Sequence, residues 1–258
     1  MTKKYFFFDI DGTLLSEVDK KLPDSCKETL KKLIDKGHFV AIATSRPYCL
    51  TYEIAREIGI SHYVCDGGDA FVINDEIIEL LPLNLKDCLS LAKESIDAHI
   101  PIATSIDTTN NRYSPDSQFI NEYPHLMHVF DFVIKDNFNI LEAKAIHKMC
   151  ILCSKDKENL LPSLNKVPHY RLDDQCILVE AVNKYQGILN MMKYLNAPVE
   201  DIVVFGDGIN DLDMLTQAPI SIAMGNAKDE VKHAATYVTS CASQDGIKKA
   251  CQYFEWID

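Results

Sequence analysis

Short apolar runs and amphipathic stretches alternate along both ends of the chain. Residues 5–8, 39–43 and 202–205 are apolar at every position, which is typical of strands buried on both faces of a parallel sheet. The stretches between such runs carry apolar residues at helical spacing, and we expect one helix to begin near Ser25, which has the capping-box spacing to Glu28. This alternation predicts an α/β fold, with helices on both faces of a parallel sheet.

The middle of the chain lacks this regular order. Apolar spacing predicts a helix over residues 85–96, and the β-like runs that follow show no steady strand–helix–strand sequence. A pattern of this kind indicates a separate α+β unit. We therefore predict a core domain made of residues 1–81 and 184–258, with an inserted α+β domain at residues 82–183.

The composition excludes several classes of protein. The chain has 26 Lys and Arg against 38 Asp and Glu, and its formal net charge is −12. General nucleic-acid binders usually show a basic excess, so we predict no nucleic-acid partner. The apolar runs are shorter than the about 7–15 residues of a secretory signal or the about 20 of a spanning helix, so we also predict no membrane association.

The cysteines indicate the compartment. Nine cysteines, an odd number, lie largely in apolar runs, which is typical of buried free thiols in a reducing environment, and we expect a cytoplasmic protein. Cys150 and Cys153 form a C-x-x-C, but they fall in a predicted strand where they would face opposite sides, so a metal or redox role is disfavoured. The pattern leaves a monomer and a small homo-oligomer equally open.

Two loops rich in aspartate follow apolar runs. Asp9, Asp11 and Gly12 come directly after the first predicted strand, and Asp207 and Asp211 follow the strand at 202–205. Ligands of open parallel sheets bind beyond the carboxyl ends of the strands, and crowded carboxylates there are costly without a cation between them. Oxygen ligands suit Mg²⁺, which often shares its site with phosphate. The alternative is a pair of turns with solvated side chains.

Two further positions suit a phosphate group. Thr44, Ser45 and Arg46 follow the strand at 39–43 and offer hydroxyl donors, and Lys184 precedes a predicted helix, where it can supply a fixed positive charge. Taken alone, a threonine at a strand end is usually a helix cap and a single lysine is usually solvated. Together with the aspartate loops they favour a site for a phosphate ester.

The chain resembles the haloacid dehalogenase-like (HAD) phosphatases, in particular the Cof-type group with a type IIB cap. The four motifs of that family occur in its order: Asp9-x-Asp11-Gly12-Thr13, Thr44 within Ala43-Thr44-Ser45-Arg46-Pro47, Lys184, and Gly206-Asp207-Gly208-x-Asn210-Asp211. There are departures: Ser45 replaces a usual glycine, residues 66–70 replace an Asn-Gly-Ala-like loop, and no glycine directly follows Lys184. None of them removes a group that the chemistry needs.

The resemblance implies a fold and an activity. The fold would be a Rossmann-like core with an inserted cap. The activity would be Mg²⁺-dependent hydrolysis of small-metabolite phosphomonoesters, with sugar phosphates foremost, through an aspartyl-phosphate. Asp9 would be the nucleophile and Asp11 the general acid and base. Asp9, the main-chain carbonyl of Asp11 and Asp207 would hold the metal.

The resemblance also assigns supporting residues. Thr44 and Lys184 would bind phosphoryl oxygens, assisted by Asn210 and by the main-chain N–H groups of Gly12 and Ser45. The residues Asp211 and Arg46 would support these groups. Candidates in the cap for selecting the substrate are Arg112, Tyr113, His125, His128, His169, Arg171 and Asp173.

Two other activities stay open at this point. A phosphosugar mutase would return the phosphoryl group to a sugar instead of to water. A metabolite-binding protein on the same fold would not catalyse, although binding alone would not need an acid beside a nucleophile.

Overall fold

The structure is a computed structural model that describes residues 2–127 and 130–258. Its strands are, in chain order, β1 (Tyr5–Phe8), β2 (Phe39–Ala43), β3 (Tyr63–Cys65), β4 (Ala70–Ile73), β5 (Glu76–Leu80), β6 (Ile102–Ser105), β7 (Asn111–Ser114), β8 (Asp131–Ile134), β9 (Lys148–Leu152), β10 (His169–Arg171), β11 (Cys176–Val179), β12 (Ile202–Gly206), β13 (Ile220–Ala223) and β14 (Tyr237–Val238). Its α-helices are α1 (Asp24–Asp35), α2 (Tyr48–Ile58), α3 (Leu85–Asp97), α4 (Gln118–Glu122), α5 (Lys184–Tyr194), α6 (Leu212–Gln217), α7 (Asp229–Ala234) and α8 (Gly246–Tyr253).

The chain divides into two compact units. The first contains the chain up to Arg46, Thr51–Leu80 and Asn183–Asp258, and the second contains Pro47–Leu50 and Leu81–Val182. Each unit has a sheet of its own.

The first unit is built on a sheet in the order β14-β13-β12-β1-β2-β3-β4-β5. The pairs from β14 to β3 are parallel, and β4 and β5 extend the sheet as an antiparallel hairpin. The predicted α/β class is confirmed. Since β1 lies between β12 and β2, the loops after these three strands leave the same edge of the sheet.

Apolar side chains of β1 and β12 hold the centre of this sheet. Phe7 and Val204 are fully buried in one cluster with Ile188 and Met191 of α5, so that α5 packs against one face. Burying side chains of this size contributes about 1.5–3 kcal/mol each. The packing fixes α5 and therefore its first residue, Lys184.

The start of α1 differs from the predicted capping box. Pro23 is the N-cap residue, no side chain caps the helix, and the hydroxyl of Ser25 donates instead to the carboxylate of Asp245. Because Ser25 lies inside the first turn, two positions after the N-cap residue, its hydroxyl is too late in the helix to act as the cap. The capping-box prediction was therefore wrong, although the helix itself is present.

The second unit has a six-stranded sheet in the order β10-β11-β9-β6-β7-β8. Leu91 of α3 shares an apolar cluster with Ile151 on one face, and Phe119 of α4 shares another with Cys150. Cys153 belongs to the first of these clusters. The two cysteines of the C-x-x-C therefore point to opposite faces, as predicted.

A buried ion pair crosses neighbouring strands of the second unit. Lys148 Nζ lies 2.9 Å from Glu180 Oε2, and the Tyr170 hydroxyl donates to Glu180 Oε1 at 2.8 Å. Both charged side chains are almost fully buried. Pairing offsets the cost of removing two charges from water, so the pair itself adds little net stability to the sheet. Loss of either partner would nevertheless destabilise the sheet, because the other charge would stay buried and unpaired.

The helices of the described residues are short or polar. None of them is long and apolar enough to cross a membrane.

Gly187 lets α5 approach the loop after β3 closely. A Cβ at this position would lie 2.6 Å from the carbonyl oxygen of Gly68 and 2.6 Å from Val64 Cγ1. Real Cβ atoms do not approach other atoms this closely, so a side chain would push α5 away from the sheet.

We predict that Gly187→Ala lowers the free energy of unfolding by about 1–3 kcal/mol, because an added methyl overpacks this contact. Thermal denaturation followed by circular dichroism measures the change. Gln186→Ala, at the neighbouring exposed position, is the control and should stay within about 0.5 kcal/mol of wild type. A Gly187→Ala protein that melts at the wild-type temperature would contradict this account of the packing.

Candidate active site

Asp9 follows β1 directly and is almost fully buried. Its main chain is fixed on both sides, because its N–H donates to Phe205 at 3.0 Å and its carbonyl accepts from Leu14 at 3.2 Å. Carboxylate atom Oδ1 accepts from Lys184 Nζ at 2.7 Å. No described residue hydrogen-bonds the second oxygen, Oδ2, which leaves it available for chemistry.

Lys184 is the first residue of α5 and has no exposed surface. Its ammonium group bridges two carboxylates, at 2.7 Å from Asp9 Oδ1 and 2.6 Å from Asp211 Oδ1. Burial opposes the charge, yet Asp211 and Asp9 together raise the pKa of Lys184 above its usual value. An ammonium group has three donors, and the described residues accept from two, so one remains for a ligand oxygen.

Asp211 holds Lys184 and the loop after β12 at once. While Oδ1 accepts from Lys184, Oδ2 accepts from the main-chain N–H groups of Asp207 and Gly208, both at 2.9 Å. The side chain is fully buried, and both of its oxygens are committed. These contacts give Asp211 the geometry of an orienting group rather than that of a metal ligand.

The carboxylates of Asp9, Asp207 and Asp211 cluster. Ligand oxygens from the three lie within 4.8 Å of one another. Burial, and then the charge of Asp211, raise the pKa of Asp207 to about 6 and that of Asp9 to about 8. Carboxylates that resist ionising together are stabilised by a cation between them. The donor set therefore fits a hard divalent cation that takes oxygen ligands.

Gly12 is held by a main-chain contact. Its N–H donates to the carbonyl of Leu15 at 3.0 Å, and its contact with a phosphoryl oxygen stays a prediction. Gly12 has φ +84°, and a Cβ there would lie 2.2 Å from Asp207 Oδ2. The glycine is therefore required for the close approach of Asp207 to the first loop.

The carboxylate of Asp11 pairs with Arg46 rather than with Lys184. Arg46 Nε donates to Asp11 Oδ2 at 2.9 Å and Nη2 donates to Oδ1 at 2.8 Å, which is a two-point fork. The main-chain carbonyl of Asp11 accepts no hydrogen bond from the described residues. The carboxylate and the carbonyl of this residue are thus available for separate tasks.

The loop after β2 brings hydroxyls beside the loop after β12. Thr44 is buried, and its hydroxyl oxygen accepts from the main-chain N–H of Arg46 at 3.1 Å, so its own proton stays free to donate. Asn210 Nδ2 donates to Ser45 Oγ at 3.1 Å. The structure therefore brings together the predicted residues of all four motifs within the first unit.

Asn226 is a site residue that the sequence-based prediction missed. Its Nδ2 donates to Asp207 Oδ2 and to the carbonyl of Gly12, both at 2.9 Å, and its Oδ1 accepts from the N–H of Ala242 at 3.2 Å. Thr13 completes this support, because its hydroxyl donates to Asp207 Oδ1 at 3.1 Å. The position of Asn226 shortly after β13 was the signal that could have identified it.

Asp213 was also missed. Its Oδ2 accepts from the main-chain N–H of Tyr185 at 2.8 Å, which fixes the first turn of α5 immediately beside Lys184.

The cap candidates mostly engage other groups of the second unit. The Arg171 guanidinium donates to Glu158, to the carbonyls of Asp173 and Asp174, and to that of Cys153. These bonds favour a structural role for Arg171 over the selection of a substrate. Tyr113 donates to Asp107 at 2.8 Å.

The remaining cap candidates have varied surroundings. Arg112 is buried with its guanidinium 4.1 Å from the centre of the Phe130 ring. His125 is exposed and lies edge-on to Tyr123, whose hydroxyl donates to Asp173. The Nδ1 atom of His169 lies 2.9 Å from the carbonyl of Val167. His128 lies outside the described residues.

Comparison with known proteins identifies the family. The sequence profile of the haloacid dehalogenase-like hydrolases matches residues 6–251, which is nearly the whole chain. The chain belongs to this family. The predicted resemblance is confirmed, and with it the Rossmann-like core and cap architecture.

Two relatives and one solved structure match this chain over nearly their whole length. The chain is 30% identical to YkrA of Bacillus subtilis (strain 168), provisionally named a phosphatase, over 97% of each protein. It is 28% identical to the 5-amino-6-(5-phospho-D-ribitylamino)uracil phosphatase YitU of the same organism, over 96% of each. The structure of the HAD subclass IIB sugar phosphatase BT4131 superposes with a TM-score of 0.78 at 29% identity, covering 99% of this chain and 100% of that one.

We predict that Asn226→Ala weakens binding of a divalent cation about 10–100-fold, because it removes the amide that orients Asp207. Titration with Mn²⁺, followed by electron paramagnetic resonance, measures the affinity of the folded protein. Asn190→Ala is the matched control, since the Asn190 amide donates to Glu79 on another part of the first unit. Equal affinities in the two variants would show that Asn226 does not support the metal position.

Proposed function

We propose that the protein is a Mg²⁺-dependent phosphatase that hydrolyses small-metabolite phosphomonoesters through an aspartyl-phosphate. The observation that carries this proposal is the surroundings of Asp9. One of its oxygens is held by a buried ammonium group and the other has no hydrogen-bond partner among the described residues. A nucleophile needs this combination of a fixed orientation and one available oxygen.

Three oxygen donors would hold the metal in this proposal. Asp9, the main-chain carbonyl of Asp11 and Asp207 would hold Mg²⁺, and Asp211 would stay outside because both of its oxygens are occupied. When bound, the ion supplies positive charge that reduces the repulsion between an anionic carboxylate and an anionic phosphate.

The first half of the reaction transfers the phosphoryl group to the protein. Asp9 attacks phosphorus, the bond between phosphorus and the ester oxygen breaks, and Asp11 gives its proton to the departing alkoxide. The Thr44 hydroxyl and the remaining donor of Lys184 bind the phosphoryl oxygens as negative charge shifts onto them.

The second half restores the protein. Asp11, now a carboxylate, takes a proton from a water molecule that attacks the phosphorus of the aspartyl-phosphate. The bond between Asp9 and phosphorus breaks, phosphate leaves, and both aspartates return to their starting states.

Sugar phosphates and phosphorylated sugar alcohols are the favoured substrate class. Support comes from the full-length similarity to a sugar phosphatase and to a phosphatase whose named substrate carries a phosphorylated ribityl chain. Both names describe a phosphate ester on a polyhydroxylated carbon chain. The residues that select it would belong to the inserted cap.

We predict that Asp9→Asn lowers kcat about 10³-fold or more, because the amide cannot act as the nucleophile. Phosphate release is measured with Mg²⁺ over a panel of glucose 6-phosphate, ribose 5-phosphate, glycerol phosphate, adenosine monophosphate, pyridoxal phosphate and flavin mononucleotide. Asp35→Asn, at an exposed aspartate of α1 that pairs with Lys31, is the matched control and should keep the wild-type rate.

Further observations test the same proposal. Chelation should abolish phosphate release and added Mg²⁺ should restore it. Hydroxylamine should attack the aspartyl-phosphate, releasing phosphate and leaving a hydroxamate on Asp9. Wild-type phosphate release at the uncatalysed rate across the panel would refute the hydrolase. Accumulation of a sugar bisphosphate without free phosphate would instead indicate a mutase.

A further inference from the structure

Two aspartates of the loop after β1 form ion pairs with two different basic side chains. Asp9 is buried against Lys184, whereas the Asp11 side chain is 51% exposed and pairs with Arg46, which is 29% exposed. The Arg46 fork joins both carboxylate oxygens, at 2.9 and 2.8 Å. A two-point contact fixes the plane of a carboxylate as well as its position, which a single ammonium contact does not do.

Arg46 itself is firmly anchored. Its N–H donates to Thr44 Oγ1 at 3.1 Å, and its carbonyl accepts from the N–H of Asp66 at 2.8 Å and from the Thr51 hydroxyl at 3.3 Å. The fork therefore holds the Asp11 carboxylate in a fixed position relative to the loop after β2. That loop also carries the hydroxyl proposed to bind phosphate. Among the described residues Arg46 is the sole hydrogen-bond partner of this carboxylate.

The fork leaves room for proton transfer. An ionised carboxylate has about four lone-pair positions, and the two bonds of a fork occupy two of them. Asp11 can therefore carry a proton while it remains hydrogen-bonded to Arg46. Without Arg46, a half-exposed side chain would sample several rotamers, and few of them would reach the ester oxygen.

We propose that Arg46 is the positioning residue of Asp11, which makes proton transfer to the leaving group dependent on its fork. This inference rests on the phosphatase activity proposed above. In this inference Arg46 has a role separate from binding the phosphoryl group. Because the two roles are separate, an experiment can distinguish them.

The test compares two esters that differ in their need for an acid. The leaving alkoxide of a sugar phosphate requires a proton, whereas 4-nitrophenolate is stable as an anion. For Arg46→Met we expect kcat/KM on the fastest sugar phosphate of the panel to fall about tenfold or more beyond its fall on 4-nitrophenyl phosphate, since a positioned acid contributes about 10²–10⁴-fold. Arg46→Lys keeps the charge without the fork, so its ratio should shift in the same direction.

Equal losses on the two esters would overturn the proposal, because a residue that only binds phosphate, or only supports the fold, affects both alike. A double-mutant cycle of Arg46 and Asp11 provides a second test of the proposal. In an Asp11→Asn background, Arg46→Met should leave the ratio of the two kcat/KM values unchanged, since no acid remains to be positioned. A further shift in that background would also overturn it.

Arg56→Met is the matched control, because Arg56 lies exposed on α2 over the ring of Tyr52, away from the site motifs. Its ratio of kcat/KM values should equal that of wild type. If the wild-type protein hydrolyses neither ester, the proposed function and this inference fall together. If it hydrolyses both and Arg46→Met leaves the ratio unchanged, the inference alone falls and the phosphatase stands.

Discussion

The buried ammonium group of Lys184 is the contact on which the rest of the site depends. It joins Asp9 of the first loop to Asp211 of the loop after β12, and Asp211 in turn holds the main chain of that loop. One lysine therefore fixes Asp9, the proposed nucleophile, and through Asp211 the backbone that presents Asp207. Three carboxylates and one ammonium still leave an excess of negative charge, which is the condition that attracts a divalent cation.

The same strand end produces two aspartates with different properties. Asp9 is shielded from water, and burial with neighbouring carboxylates raises its pKa, whereas Asp11 is half-exposed against Arg46. Environment, rather than residue type, thus separates the proposed nucleophile from the proposed acid and base. Gly12, which follows both, contributes by having no side chain, because Asp207 occupies the space that a Cβ would need.

Much of this arrangement was predictable from the sequence. The apolar runs located β1, β2 and β12, and the rule that ligands bind at strand ends grouped the motif residues at one edge of the sheet. Contacts that depend on a single atom were not predictable. The Gly12 N–H donates to the Leu15 carbonyl, and Ser25 is the second residue of α1 rather than its cap; neither fact has a signature in residue spacing. Asn226 and Asp213 were missed because they act by hydrogen-bonding to other segments of the chain. A single polar residue in a sequence gives no sign of such a contact.

The position of β1 between β2 and β12 has a consequence for how the protein is made. Asp9 and Lys184 are 175 residues apart in the chain, and β1 lacks one neighbour until β12 has been synthesised. A nascent chain that ends before that point exposes an apolar strand edge and a carboxylate without its counter-ion. Closure of so long a loop also makes folding slow relative to a protein of local contacts. The chain is therefore most vulnerable to aggregation during synthesis, when most of it has already been made.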